Sequence, residues 1–408
     1  MMTIVHSPQA KSPEKGAVSD VLLIFLKLGL TCFGGPIAHI GYFRDEFVTR
    51  RRWLDEQAYA DLVALCQFLP GPASSQVGFS IGLMRAGYLG GLAAWTGFTL
   101  PSAIVLVLFA FGAPSLGGPL GSGLLHGLKL VAVAIVAQAV WGMARTLCPD
   151  RERASIAAVA SLFILSSASS VAQIAAILLG AVAGLWLCRD ALPPTEGQVT
   201  MPVSRRAGIA ALATFSILLV GVVVLAHSSS NAVDLFAAFY RSGALVFGGG
   251  HVVLPLLREA FVTPGWVSDD AFLAGYGAAQ AVPGPLFTFA AYLGVVVKPE
   301  PNGLAGAALG LIGIFLPGVL ILIGTLPFWD ALRVRPGAQA AMRGINAAVV
   351  GVLGAALYNP VWTSSVQTPA DFAVALVGFV LLVAWRAPPL VVVMISALGG
   401  IVLTLTQA

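Results

Sequence analysis

The stretch FLKLGLTCFGGP at residues 25–36 recurs, 214 positions later, as FYRSGALVFGGG at residues 239–250. Each copy is an apolar segment that carries one cation, Lys27 or Arg241, and then meets consecutive glycines. Glycine has no strong helical preference and proline cannot continue a helix, so we expect a helix break at both places. The recurrence indicates two copies of one module.

The match between the two halves continues downstream. Gln67-Phe-Leu-Pro-Gly-Pro72 falls on Gln280-Ala-Val-Pro-Gly-Pro285, and Phe98-Thr-Leu-Pro101 falls on Ile314-Phe-Leu-Pro317. Matches that keep their order along the chain identify an internal duplication.

The composition places both copies in a membrane. Of the 408 residues, 58% are hydrophobic and only 10% are charged, with a mean hydropathy of +0.91. Soluble domains are about a quarter charged, which excludes a water-soluble enzyme. A membrane span needs roughly 20 apolar residues. About 13 apolar segments are predicted, at 20–41, 57–84, 88–111, 123–146, 154–169, 171–188, 208–227, 234–256, 271–297, 303–326, 342–358, 371–386 and 388–406.

We therefore predict an all-α polytopic membrane protein with two homologous six-segment repeats and broken or re-entrant helices. Residues 1–19 are expected to be a disordered cytoplasmic tail, since they lack the apolar core of a signal peptide. The first repeat covers 20–190, a linker with one connecting transmembrane helix covers 191–233, and the second repeat covers 234–408.

The connecting helix predicts inverted topology, because one crossing after an even number turns the second repeat upside down. With a cytoplasmic N-terminus, the loops 113–122, 228–233 and 359–370 lie outside and contain no Lys or Arg. Basic loops then lie inside, in agreement with the positive-inside rule. Their arginines are Arg145, Arg151, Arg153, Arg189, Arg205, Arg206, Arg333, Arg335 and Arg386.

Segments 20–41 and 57–84 allow two interpretations. If each crosses the membrane once, Arg50, Arg51 and Arg52 lie outside. If each is a hairpin that enters and leaves on one face, these arginines lie inside. The corresponding loop of the second half is not basic, which favours the re-entrant hairpins.

The chemistry is expected at the helix breaks. A new helix presents N–H groups without intrahelical partners and the positive end of its dipole, which together bind an anion. The alternative is a packing kink, since Gly and Pro are common in transmembrane helices. The predicted substrate-binding glycines and prolines are Gly34, Gly35, Pro36, Pro70, Gly71, Pro72, Gly248, Gly249, Gly250, Pro283, Gly284 and Pro285.

Two glutamines and two pairs of cations accompany the breaks. Gln67 and Gln280 either donate to the same anion or satisfy the carbonyls that the neighbouring prolines free. Lys27 and Arg241 either help to bind the anion or snorkel to the interface. The remaining pair is predicted at the mouth of a pore, with plain interfacial anchoring as the alternative; it consists of Arg44 and Arg258.

Carboxylates are nearly absent at bilayer depth, which favours an anionic cargo, because cation transporters use such groups as ligands or proton relays. Asp61 and His39 are candidates for proton coupling, as is a protonatable substrate. His126 and Lys129 are interpreted as ordinary end-of-helix residues. Metal spacings and enzyme motifs are missing from the sequence, so we expect no cofactor, no metal site and no nucleic-acid partner.

The duplicated F-G-G-P and P-G-P signatures, the upstream cation and the thirteen-segment layout resemble the chromate ion transporter family, long-chain type, over residues 20–407. The resemblance implies a bacterial inner-membrane protein that exports chromate, confers chromate resistance and uses the proton motive force. Gly250 departs from the pattern, since the first repeat has Pro36 at that position.

Two rival functions share these features. One is a carrier of sulfate or another oxyanion, and the other, less favoured, is an anion channel. The lipid bilayer is the expected environment, and a homodimer is one alternative for the assembly. Rocking of one repeat against the other is expected to alternate access to the site.

Overall fold

The computed structural model describes residues 16–115, 118–166, 171–189, 202–224, 230–247 and 250–407. Within these ranges the secondary structure is helical and contains no β-strand. The helices are α1 (Val18–Thr31), α2 (Gly35–Arg44), α3 (Glu56–Phe68), α4 (Ala73–Gly112), α5 (Gly118–Leu147), α6 (Arg151–Ser166), α7 (Val171–Leu187), α8 (Arg205–Val224), α9 (Asn231–Ala244), α10 (Val253–Phe261), α11 (Asp269–Ala281), α12 (Phe289–Val296), α13 (Gly303–Thr325), α14 (Trp329–Arg333), α15 (Pro336–Ala356), α16 (Thr363–Ser365), α17 (Pro369–Val383) and α18 (Pro389–Gln407).

The two repeats are built alike down to their helix caps. The Asp55 carboxylate accepts a hydrogen bond from the Ala58 N–H at the start of α3. At the equivalent place in the second repeat, the Ser268 hydroxyl accepts one from the Ala271 N–H at the start of α11. Each cap satisfies an N–H group that has no partner inside its helix. The duplication seen in the sequence therefore extends to local structure.

Four apolar segments are each divided into two helices at a predicted break. The sequence count of 13 segments is therefore not reproduced one for one. Helix α1 has 14 residues, which at about 1.5 Å per residue gives roughly 21 Å, less than the roughly 30 Å of a bilayer core. Helix α1 alone is too short to cross.

The chain reverses direction at the glycine breaks. Phe25 of α1 and Phe43 of α2 have ring centroids 5.6 Å apart, although 18 residues of straight helix would separate them by about 27 Å. In the second repeat, Phe239 and Phe261 lie 4.5 Å apart. Each segment thus folds back on itself, as the hairpin interpretation requires.

The chain also folds back around the Pro-Gly-Pro motifs. The Tyr292 hydroxyl of α12 donates to the Ala271 carbonyl of α11 at 2.9 Å, across 21 residues of sequence. Helix α4 contains a further reversal, at Ala86 and Gly87, where the backbone is not helical. Gly82 and Gly90 meet across that reversal, and Gly294 and Gly306 meet across its counterpart; the absence of a Cβ permits both contacts.

The last two helices of each repeat pack on the other repeat. Helix α18 lies antiparallel against α5, where Gly123 meets Ile401 and Gly127 meets Ala397. In the matching arrangement, α7 lies antiparallel against α15, and Gly184 contacts Gly344. The two repeats are therefore intertwined.

Six stretches of described residues are long and apolar enough to cross a membrane: Ala73–Gly112, Gly118–Leu147, Arg205–Val222, Gly303–Leu332, Pro336–Ser365 and Pro389–Thr406. Shorter apolar helices accompany them. Residues 1–15 of the predicted tail, residues 191–201 and 225–229 between the repeats, and Gly248 and Gly249 lie outside the described residues.

Replacing Gly344 with alanine is expected to destabilise the protein by about 1–3 kcal/mol, because its Cβ would overlap the Gly180 carbonyl at the α7–α15 contact. Thermal unfolding of the purified protein in detergent measures the change. Gly221→Ala in α8 is the matched control, since nothing lies within 4 Å of its Cβ position. Equal unfolding temperatures for the two variants would contradict this account of the packing.

Candidate functional site

The helix breaks of the two repeats meet through two reciprocal backbone hydrogen bonds. The Gly71 N–H donates to the Val246 carbonyl at 2.7 Å, and the Gly284 N–H donates to the Cys32 carbonyl at 2.9 Å. Val246 is the repeat counterpart of Cys32, and Gly284 is the counterpart of Gly71. Each glycine break therefore pairs with the Pro-Gly-Pro break of the other repeat.

Gly71 and Gly284 could not be replaced without strain. Their φ angles are 117° and 96°, in the region that only glycine adopts readily. Both also approach a neighbouring helix closely. A Cβ on Gly71 would lie 3.0 Å from the Gly318 Cα, and one on Gly284 would lie 2.9 Å from the Ser102 hydroxyl.

The exception at Gly250 has a steric reason. Gly250 packs against Pro36, which is its own counterpart in the first repeat. A Cβ at position 250 would already lie 3.1 Å from the Pro36 Cγ, so a second proline ring has no room. The sequence predicts a softer break here, and the structure gives a packing reason for the glycine.

A glutamine that the sequence analysis missed satisfies the carbonyl at the first Pro-Gly-Pro break. The Gln76 amide nitrogen donates to the Pro70 carbonyl at 3.0 Å and to the Gly318 carbonyl at 2.9 Å. Gln76 is 1% exposed, whereas Gln67, one of two residues predicted for this role or for ligand binding, is exposed. The sequence feature that could have identified Gln76 is its position as a lone amide on an apolar helix directly after the break.

A cavity of about 220 Å³ opens beside the central breaks, and we call it the arginine cavity. Its walls come from both repeats, because Gly34 and Gly35 lie at the first break while Gln280 precedes the last. Its described lining residues are Gly34, Gly35, Ile135, Gln138, His251, Gln280, Leu382, Arg386, Ala387 and Pro389. None of them carries a carboxylate.

The arginine cavity is rich in hydrogen-bond donors. Gly35 is the first residue of α2, so N–H groups of its first turn have no partner within the helix. The exposed Arg386 and the half-buried Gln138 also line the cavity, and both side chains carry donors. The buried Gln280 amide nitrogen has no hydrogen-bond partner. Such a donor set suits a polyatomic anion, because a buried donor such as Gln280 is costly unless a ligand accepts from it.

Lys27 and Arg241 lie elsewhere. Lys27 is exposed on α1, and the half-buried Arg241 side chain of α9 donates to the Ala237 carbonyl at 3.4 Å. Neither lines the arginine cavity. The sequence pattern groups Arg386 with the basic loops, and only its placement beside the breaks in three dimensions reveals it.

The paired cations Arg44 and Arg258 form equivalent ion pairs. Arg44 donates to Glu56 at 2.6 Å, and Arg258 donates to Asp269 at 2.9 Å. Each pair ties the end of one hairpin to the start of the next helix.

The two candidates for proton coupling, Asp61 and His39, are buried, and neither lines the arginine cavity. The Trp329 indole donates to the Asp61 carboxylate at 3.3 Å, and the His39 Nδ1 lies 3.4 Å from the Ser74 hydroxyl. No group of three or more metal-ligating side chains occurs within the described ranges.

Comparison with known proteins identifies relatives over nearly the whole chain. A family model described as chromate transporter matches residues 19–185 and 233–401, once for each repeat. The chain is 30% identical to a chromate transport protein of Pseudomonas aeruginosa, over 92% of this chain and 89% of that protein.

Two further relatives are more distant. A probable chromate transport protein of Synechococcus elongatus is 25% identical, with 93% of each chain covered. An uncharacterized transporter of Methanocaldococcus jannaschii is 24% identical, over 93% of this chain and 88% of that protein. No solved structure matches the chain.

Gln76→Leu is expected to destabilise the protein by about 1–3 kcal/mol, because the Pro70 and Gly318 carbonyls would lose a buried donor. Thermal unfolding in detergent measures the loss. The matched control is Gln67→Leu, which changes an exposed glutamine of the same motif and should shift stability by no more than about 0.5 kcal/mol. A stable Gln76→Leu variant would show that this amide does not hold the break.

Proposed function

The chain belongs to the chromate transporter family, and from this premise we propose that it is a secondary active transporter that exports chromate from the cytoplasm. Export of this toxic oxyanion would confer chromate resistance. The observation that carries the proposal is the arginine cavity, whose donors come from both repeats and whose described lining lacks a carboxylate.

The cavity supplies what a dianion needs when it leaves water. A charge buried without partners is strongly unfavourable. The N–H groups at the start of α2 and the Gln138 and Gln280 amides replace water as donors. The Arg386 guanidinium adds a full positive charge and can bind two oxygens at once. Of the alternatives that the sequence left open for Gly34, Gly35 and Gln280, this proposal takes substrate binding.

Sulfate is the second candidate substrate. It is also a tetrahedral dianion, and hydrogen-bond donors around a cavity do not by themselves distinguish the central atom. Nothing in the described lining of the arginine cavity selects against it. An anion channel is less favoured, because the duplicated repeats with paired helix breaks are typical of secondary transporters.

We place the two repeats, 20–190 and 234–408, in inverted orientation on either side of α8, in the inner membrane of a bacterium with a cytoplasmic N-terminus. The intertwined packing supports this arrangement. Helix α18 is antiparallel to α5, and α7 is antiparallel to α15. Asp150, which follows α5, is close enough to Arg343 in the first half of α15 for the two charges to attract. Such contacts are expected if equivalent helices run in opposite directions.

In this orientation the four hairpins are re-entrant. Those of the first repeat enter from the cytoplasm, and those of the second enter from outside. Rocking of one repeat against the other alternates access to the arginine cavity. Lys27 and Arg241 draw the anion toward the protein, and the proton motive force drives export through Asp61, His39 or the protonated substrate.

Cysteines placed at Arg51 and Trp266 are expected to react from opposite sides of the membrane. These positions lie in equivalent loops of the two repeats, and inverted topology places Arg51 in the cytoplasm and Trp266 outside. Labelling with an impermeant thiol reagent in right-side-out and everted vesicles shows from which side each position reacts. Reaction of both positions from the same side would exclude inversion.

Arg386→Gln is expected to lower chromate uptake into everted vesicles by at least about tenfold, since hydrogen bonds to a charged group contribute roughly 1.5–3 kcal/mol each. Lys27→Ala and Arg241→Ala should also slow uptake if these residues attract the anion. Arg335→Gln is the matched control, because this exposed arginine is predicted on the same membrane face and does not line the cavity.

The same assay separates the rival functions. In proteoliposomes with an imposed pH gradient, chromate flux that follows the gradient supports secondary active transport, and gradient-independent flux indicates a channel. Preference for sulfate over chromate would identify the sulfate carrier. Wild-type uptake by Arg386→Gln at equal protein level would reject the arginine cavity as the binding site.

A further inference from the structure

A second and larger cavity, of about 620 Å³, lies farther along the same helices, and we call it the lysine cavity. It is lined by the C-terminal end of α4, by the first turns of α5 and α11, and by parts of α12 and α18. Its lining residues are Ala110, Ala113, Ser122, Leu125, His126, Lys129, Asp270, Ala271, Ala274, Tyr292, Val296 and Thr404.

Both cavities share one groove, between α5 of the first repeat and α11 of the second. On α5, residues 122–129 line the lysine cavity and residues 135–138 line the arginine cavity. On α11, residues 270–274 line the lysine cavity and Gln280 lines the arginine cavity. The six residues from 129 to 135 correspond to about 9 Å of helix.

The groove is closed between the two cavities where α5 and α11 touch. The backbone of Leu128 contacts Gly277, which has no side chain to separate the helices. Buried aliphatic residues, 130–134, follow this contact on α5. On α11, small residues lie on either side of Tyr276, whose hydroxyl is 2.8 Å from the His251 Nδ1. The contact leaves no space for an anion between α5 and α11 at this level.

The lysine cavity contains an unusual ion pair. Lys129 is 13% exposed, and its ammonium donates to the Asp270 carboxylate at 2.9 Å, while Asp270 is 78% exposed. Lysine has three N–H donors, and an exposed carboxylate that water can solvate contributes little to such a pair. An entering anion can therefore share or replace Asp270 as the partner of Lys129.

The other ion pair of this cavity is not exchangeable in the same way. The His126 Nε2 lies 2.7 Å from Asp371. Asp371 also accepts hydrogen bonds from the Gln367 and Thr368 N–H groups and is 3% exposed. This carboxylate is committed to the start of α17, which leaves Lys129 as the cation available to a ligand.

We propose that the lysine cavity is a second oxyanion site on the translocation path, with Lys129 as its binding cation and Asp270 as the competing internal anion. This inference rests on the proposed function and extends it. The dianion moves from the arginine cavity to the lysine cavity when α5 and α11 separate at Leu128 and Gly277. When the dianion arrives, it displaces Asp270 from Lys129. The Lys129–Asp270 ion pair forms again when the dianion leaves.

The test uses Ser122→Cys, a conservative change at an exposed residue of the cavity wall, two helical turns from Lys129 on the same face of α5. An impermeant anionic thiosulfonate is added to the purified full-length protein, and the rate of modification is followed with and without sulfate. Sulfate is the probe because chromate oxidises thiols. The unsubstituted protein gives the background, because Cys32, Cys66 and Cys188 are buried and the half-buried Cys148 is present in both proteins.

Sulfate is expected to slow modification of Ser122→Cys at least threefold. Adding Lys129→Gln should abolish this protection. Adding Asp270→Asn should preserve it and should lower the sulfate concentration at which it occurs. Chromate flux through Lys129→Gln in proteoliposomes should fall about tenfold, with Lys129→Arg retaining more flux. Size-exclusion profiles establish that each variant is folded.

The proposal would be overturned if sulfate gave no protection, or if protection were equal with and without the Lys129→Gln change. It would also be overturned if the thiol at residue 122 never reacted in the folded protein. These results would leave the proposed function standing if the wild-type protein transports chromate. Lack of chromate transport by the wild type, together with Lys129-dependent protection, would instead reject the proposed function and retain the anion site.

Discussion

The structure depends on one constraint, that peptide groups at an interrupted helix within the membrane must still find hydrogen-bond partners. The molecule meets it with two reciprocal bonds, from Gly71 to Val246 and from Gly284 to Cys32. Because each bond joins a break in one repeat to a different break in the other, each repeat satisfies one N–H group at a break of its partner. The hairpins, the close glycine contacts and the cavity beside them are all arranged around this cross-connection.

The backbone obeys the repeat symmetry more closely than the side chains do. Equivalent helices, caps and ion pairs recur, yet the arginine cavity takes glycines from the first repeat and Gln280, His251 and Arg386 from the second. The two repeats thus form a paired scaffold, whereas the polar residues that line the arginine cavity differ between its two halves.

Much of the scaffold could be predicted from sequence, because the physical signals are local. Apolar length, glycine pairs and Pro-Gly-Pro motifs locate the breaks through backbone chemistry that does not depend on distant residues. The candidate site could be predicted only in part. The backbone groups that line it lie at those breaks, whereas its charged residue, Arg386, does not. Spacing from the breaks favours Lys27 and Arg241, but Arg386 reaches the cavity through the packing of α17 and α18 on α5. Gln76 was missed for the same reason, because one of its acceptors, Gly318, lies 242 residues away.

The exchange of terminal helices between the repeats also bears on how the chain matures. Helix α5 packs against α18 of the second repeat, where Gly400 and Ala397 meet Gly123 and Gly127. This face of α5 therefore has its partner only after α18 has been synthesised. A chain that stops before α18 leaves this face of α5 without the helix that covers it.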